Sequence, residues 1–69
     1  MPYDYSKLLG RITEKIGTQY KLAEAVGLSE RTVSLKLNGK IGWKQTEIED
    51  ICKVLDIDRS EIGDYFFVL

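Results

Sequence analysis

The sequence predicts an all-α domain built from five short helices. Three observations lead there. Apolar residues recur at the three-and-four spacing of a helix face in successive segments of the chain. Glycines and capping residues punctuate those segments at short intervals. The connections are brief, and no repeat, low-complexity segment or linker separates them. Sixty-nine residues make one domain, 1–69, with a short apolar tail at 66–69.

The first predicted helix covers about residues 5–16, where Tyr5, Leu8, Leu9, Ile12 and Ile16 share a face. Asp4 is its cap and Gly17 its end. The second runs from Thr18 to about Val26, with Leu22, Ala23 and Val26 on one side. Gly27 then sits where the chain must turn, because a residue without Cβ tolerates the left-handed conformation of a helix stop. Ser29 is placed to cap a third helix, and Leu28 and Val33 stand at the two positions of a hydrophobic staple. Val33 and Leu37 give that helix an inner face, and Asn38-Gly39 ends it. Gly39 to Gln45 is the longest connection.

The fourth helix carries Ile48, Ile51, Cys52 and Leu55 on an amphipathic stripe. Thr46 with Glu49 forms a capping box for it, and Lys44 is the alternative starting point. Asp58 with Glu61 forms a second box, and Ile57 with Ile62 its staple. The fifth helix runs from about Arg59 to Tyr65 or Phe66. A single cysteine cannot form an internal disulfide, and Cys52 on the apolar stripe reads as a buried thiol. With no apolar run of membrane-spanning length and no signal-like leader, the expected location is the bacterial cytoplasm.

The second and third helices carry the functional signal. Two short helices around a glycine, the second turned outward, match the helix-turn-helix unit that enters the DNA major groove, although the same pairing also occurs in bundles that bind nothing. Ala23 is small where the helices must approach. Glu30, Arg31, Ser34 and Lys36 lie on the outward face and can address base edges and phosphates.

The formal net charge is −1, but its distribution is uneven. Residues 7–44 hold eight lysines and arginines against three glutamates, a net of +5. Residues 45–69 hold two cations against seven carboxylates, a net of −5, and Asp4 supplies the rest. A basic half that coincides with the motif and an acidic half behind it make a polarised domain.

The pattern T-Q-x-x-L-A-x-x-x-G-x-S-x-x-T-V-S-x-x-x-N-G, met from Thr18 to Gly39, resembles the lambda-repressor-like helix-turn-helix domains. The length, short leader and hydrophobic end look most like the small Cro-type regulators of temperate phages. The resemblance covers about residues 5–66 and implies a five-helix DNA-binding domain. It also implies a transcriptional regulator, a Cro-like phage or prophage repressor on a double-stranded DNA operator. The family's roles transfer to matching positions. Glu30, Arg31, Ser34 and Leu35 are the base-reading residues, with Arg31 able to pair both donors with guanine and Glu30 able to accept from cytosine. Thr18, Gln19, Thr32, Asn38, Lys40 and Lys44 supply phosphate contacts or support.

Three departures from the family pattern bear on those roles. Position 36 is usually apolar and inward, but here it is lysine. Either the third helix is rotated, or Lys36 buries its stem and extends its ammonium outward. Leu35 is correspondingly either core or a thymine-methyl contact. Trp43 stands in a loop where the family often has proline; it packs in the core or turns its indole N–H to a phosphate. The chain ends Tyr65-Phe66-Phe67-Val68-Leu69, an apolar run that is costly in water. Ile62, Tyr65, Phe66, Phe67 and Leu69 are therefore expected at a homodimer contact, at least on DNA, unless the tail folds back on its own core.

Enzyme chemistry finds no support. There is no histidine and no Cys/His cluster, and neither a phosphate loop nor a nucleophile elbow is present. No cofactor, metal or small-molecule substrate is expected. The rival reading is a protein-interaction module of the same fold, an antitoxin or antirepressor acting through a partner protein. The acidic sequence pI of about 5.3 and the hydrophobic tail both fit it.

Overall fold

Helix α1 spans Ser6–Lys15, α2 Gln19–Val26, α3 Glu30–Leu37, α4 Gln45–Leu55 and α5 Ile62–Phe66. A one-turn 3-10 helix at Arg59–Glu61 leads directly into α5. These elements come from a computed structural model that describes residues 3–69, and no strand occurs among the described residues. The all-α, five-helix expectation therefore holds.

The local chemistry explains the boundaries. The Asp4 carboxylate accepts from the Ser6 N–H (2.8 Å) and from its hydroxyl (2.5 Å) just before α1. Thr18 Oγ1 accepts the Lys21 N–H at the start of α2 (3.1 Å). Gly27 ends α2 with φ 75°, the left-handed conformation that favours glycine. Ser29 Oγ then accepts the Thr32 N–H (3.1 Å) and opens α3. The two helices are thus fixed by two caps and one left-handed residue.

Helix α4 departs from the expected Thr46/Glu49 box. Lys44 is its N-cap residue, and the Glu47 carboxylate reaches back to accept the Lys44 N–H (2.8 Å). Glu47 is three residues past that cap, which puts it where such a return bond is geometrically available. The α4 end is also distinctive. Asp56 adopts φ 55°, a left-handed conformation at a non-glycine residue. Arg11 crosses from α1 to this end, where its Nε donates to the Leu55 carbonyl (2.9 Å) and an Nη to the Asp56 carbonyl (2.8 Å). A guanidinium thus satisfies carbonyls that a helix end leaves without partners. The last helix is shorter than expected, because residues Arg59–Glu61 wind as a 3-10 turn under the Asp58 cap.

The core gathers one apolar face from every α-helix. Leu8, Ile12, Leu22, Val33, Ile51, Leu55 and Phe66 are essentially inaccessible. Helix α2 packs on α3 and α4, and α1 packs on α5 and α4. Cys52 is buried on the α4 stripe, and burial, reinforced by Glu49, pushes its thiol pKa up. The staple residues Leu28 and Val33 pack in or against this core.

The tail folds back on the monomer. Tyr65 and Phe66 are 6% and 0% exposed, and the Asp4 N–H donates to the Val68 carbonyl (2.5 Å). Tyr3 meets the Phe67 ring edge-on, with centroids 5.5 Å apart. The tail thus runs alongside the N-terminal segment. Of the five residues assigned to a dimer contact, Tyr65 and Phe66 are corrected to the monomer core and Ile62 is half-buried. Only Phe67 and Leu69 remain well exposed.

Candidate functional site

The residues expected to meet DNA are spread over the start of α2, α3 and the loop that follows it, and several are engaged within the chain. Glu30 and Arg31 are exposed at the start of α3, and Lys40 and Lys44 are exposed in the loop after it. Gln19 is half-buried at the start of α2 and makes no hydrogen bond to α3 among the described residues. Thr18 and Thr32 belong to the caps of α2 and α3, where Ser29 Oγ–H also donates to Thr32 Oγ1 (2.8 Å). The Asn38 amide donates to the Ser34 carbonyl (2.8 Å) and to its hydroxyl (3.3 Å), tying the C-terminus of α3 to itself. Leu35 is half-buried, between the two positions foreseen for it.

Lys36 resolves differently from either reading of the sequence. It is 4% exposed, and its ammonium points inward with its stem. The ammonium pairs with Glu47 Oε1 (2.9 Å) and donates to the Gly42 carbonyl (2.7 Å). It also lies 5.6 Å from the Trp43 ring centroid. Burial alone would push the Glu47 carboxyl up, but bonds from Lys36 and the Lys44 N–H, with the charges of both lysines, hold it below its ordinary value of 4.5. This lysine therefore joins α3, the following loop and the first turn of α4. Lys36 is anomalous in the sequence, but its partner is not evident there. The available signal was Glu47, an acidic residue at the first turn of the next helix.

Trp43 is half-buried within an aromatic cluster. Its ring meets Tyr5 at 6.4 Å and Phe66 at 5.7 Å, both edge-on. Its indole N–H is buried, so of the two readings open for Trp43 the structure takes core packing and not an N–H turned to a phosphate. Burial of the neighbouring Tyr5 hydroxyl raises that phenol's pKa.

A second surface feature lies beside the loop that follows α3. Tyr3, Ile41 and Phe67 are 41%, 44% and 51% exposed and line one open hollow of about 310 Å³ together with Trp43. Beyond Trp43 and Phe67 a further hollow of about 500 Å³ lies between α4 and α5, with Ile48 and Ile62 in its lining. Exposed aromatic and aliphatic side chains gathered in this way characterise contact surfaces for other proteins. Among the described residues no group of three or more potential ligands could hold a metal ion, and no helix is long and apolar enough to cross a membrane.

Comparison with known proteins corrects the family expectation. The model of a family described as "Protein of unknown function (DUF739)" matches residues 1–68. No curated protein matches the chain. Among solved structures, the modulator of repression (MOR) of the temperate bacteriophage TP901-1 from Lactococcus lactis is similar at 61% sequence identity. That match covers 97% of this chain and 90% of the modulator, with a TM-score of 0.84. The assignment to the lambda-repressor-like, Cro-type family is therefore overturned. The motif from Thr18 to Gly39 records two capped helices around a left-handed glycine, and such local geometry is shared by proteins of different function. The chain belongs to the DUF739 family.

Proposed function

We propose that this chain is a phage-type modulator of repression that acts by binding a repressor protein. The observation that carries this reading is the 61% identity to the TP901-1 modulator over nearly the whole length of both chains. The exposed apolar surface at Tyr3, Ile41 and Phe67 supports it, because it offers contact area suited to a protein and not to a phosphate backbone. The engagement of Thr18, Thr32, Ser34 and Asn38 in the chain's own caps also favours it, since these groups are then less available to DNA. In this reading the chain is a binding module without catalytic chemistry.

Operator binding is the second reading. Exposed Arg31, Lys40 and Lys44 in a half of net charge +5 favour it. One experiment separates the two. The chain is mixed with the repressor of phage TP901-1, and the mixture is followed by gel filtration and by footprinting of the repressor's operator. A stable hetero-complex that changes the footprint, with no footprint from the chain alone, is the expected result. Failure to form the complex, together with protection of duplex DNA by the chain alone, overturns the proposal in favour of the second reading.

A further inference from the structure

The hollow between α4 and α5 does not end at Ile62. A second hollow of about 530 Å³ adjoins it and shares Glu49, Arg59 and Ile62 in its lining. Through these shared residues the two join into one trough bordered by α4 and by the segment from Arg59 to Ile62. Its character changes from end to end. Trp43, Ile48 and Phe67 line the first part, which is apolar. Asp56, Asp58 and Glu61 line the far part, with Cys52 and Ile57 beneath them.

The charges along the trough are not neutralised by the chain. Glu49, Asp56, Asp58 and Glu61 stand against Lys53 and Arg59, a local net charge of −2. Among the described residues none of these six takes part in an ion pair, although Glu49 and Arg59 border the same trough. Asp58 is occupied only by hydrogen bonds from Ser60. A trough that is apolar at one end and carries uncompensated carboxylates at the other specifies its occupant by charge complementarity. The shape suits an amphipathic segment laid along a groove between helices.

We infer that this trough docks an amphipathic segment of the partner protein whose apolar side chains are followed by lysines or arginines. The apolar residues sit against Trp43, Ile62 and Phe67, and the basic residues meet Glu49 and Glu61. The inference rests on the reading of the chain as a protein-interaction module and assigns that activity a surface. It places the contact on residues of the acidic half of the sequence and Trp43, with no residue of α3 in the lining.

The test uses the whole chain, labelled with ¹⁵N and followed by NMR. Two synthetic helical peptides serve as probes: one with leucines along one face and lysines at one end, the other with glutamates replacing the lysines. A third titration uses the TP901-1 repressor. The lysine peptide is expected to shift the amides of Glu49, Ile62 and Phe67, and the glutamate peptide to leave them in place. In the double variant Glu49→Lys/Glu61→Lys, binding of the lysine peptide should weaken by about tenfold or more, with the preference moving to the glutamate peptide. That exchange of preference cannot come from misfolding, which abolishes both interactions. If neither peptide reaches the trough, or the charge reversal leaves the preference unchanged, the inference is overturned. If the repressor binds but shifts only residues of α2 and α3, the trough is wrong and the proposed function stands. If the lysine peptide binds as described and the repressor does not bind at all, the trough stands and the repressor is not the partner.

Discussion

Lys36→Met is the most informative single perturbation of this fold. Methionine keeps an unbranched apolar stem of similar length and deletes only the ammonium. Two groups then lose their donor: the Glu47 carboxylate, whose side chain is 12% exposed, and the Gly42 carbonyl. Removing one partner of a buried ion pair costs about 3–5 kcal/mol, because an uncompensated charge is left behind. Here the lower end applies, since Glu47 keeps the Lys44 N–H and can relieve its charge by taking up a proton. A chain of this length has a total stability of roughly 3–10 kcal/mol. A loss of about 3 kcal/mol is therefore a large share of it, and corresponds to a fall in Tm of about 12–24 °C. The assay is urea denaturation followed by far-UV circular dichroism, on Lys36→Met, Glu47→Gln and the double variant. The double variant should be less damaged than the sum of the singles by about 2 kcal/mol, because neither group is then buried with an unmatched charge. Additive losses, or a loss below about 1 kcal/mol for Lys36→Met, would refute the reasoning that this pair fastens α3 to α4.

Acid should weaken the same fastening. The folded Glu47 carboxyl lies below its ordinary value of 4.5, so its contribution is complete above that pH and is lost as pH falls through the depressed value. Wild-type Tm should drop below about pH 4.5, and the drop should be shallower in Glu47→Gln; equal slopes contradict the assignment. Arg11→Ala should cost about 2–3 kcal/mol, since the side chain is 23% exposed and its guanidinium donates to two carbonyls at the end of α4. Hydrogen exchange at Ile57 and neighbouring amides should quicken with it, and unchanged exchange would show that the α4 end holds without Arg11. Asp56→Gly should stabilise the fold by about 0.5–1 kcal/mol by relieving the left-handed backbone at φ 55°; a denaturation midpoint that stays or falls would show that the Asp56 side chain has a compensating role.

The helices were legible in the sequence because their determinants are local. Gly27 and Ser29 act within a few residues of where they stand, and each is found in the cap that its chemistry implies, while Thr18, read as the first helical residue, caps α2 instead. What could not be read depends on partners distant along the chain. Lys36 finds Glu47 eleven positions away, across a loop. Arg11 reaches Leu55, a separation of 44 positions, and Asp4 meets Val68. Those contacts decide whether an unusual lysine points inward and whether an apolar tail is core or contact surface. The family assignment failed for a related reason. The spacing from Thr18 to Gly39 describes a local arrangement of two helices, and that arrangement does not say which face of the molecule meets the partner. The α4–α5 trough is made by residues scattered from Trp43 to Phe67, none of which forms a contiguous motif.

The central claim is that the chain acts through a protein, and paired calorimetric titrations test it most directly. The chain is titrated into the TP901-1 repressor and, at the same salt concentration, into the repressor's operator duplex. The account predicts saturable heat with the repressor and none with the duplex. Saturable, salt-sensitive heat with the duplex and none with the repressor would contradict it.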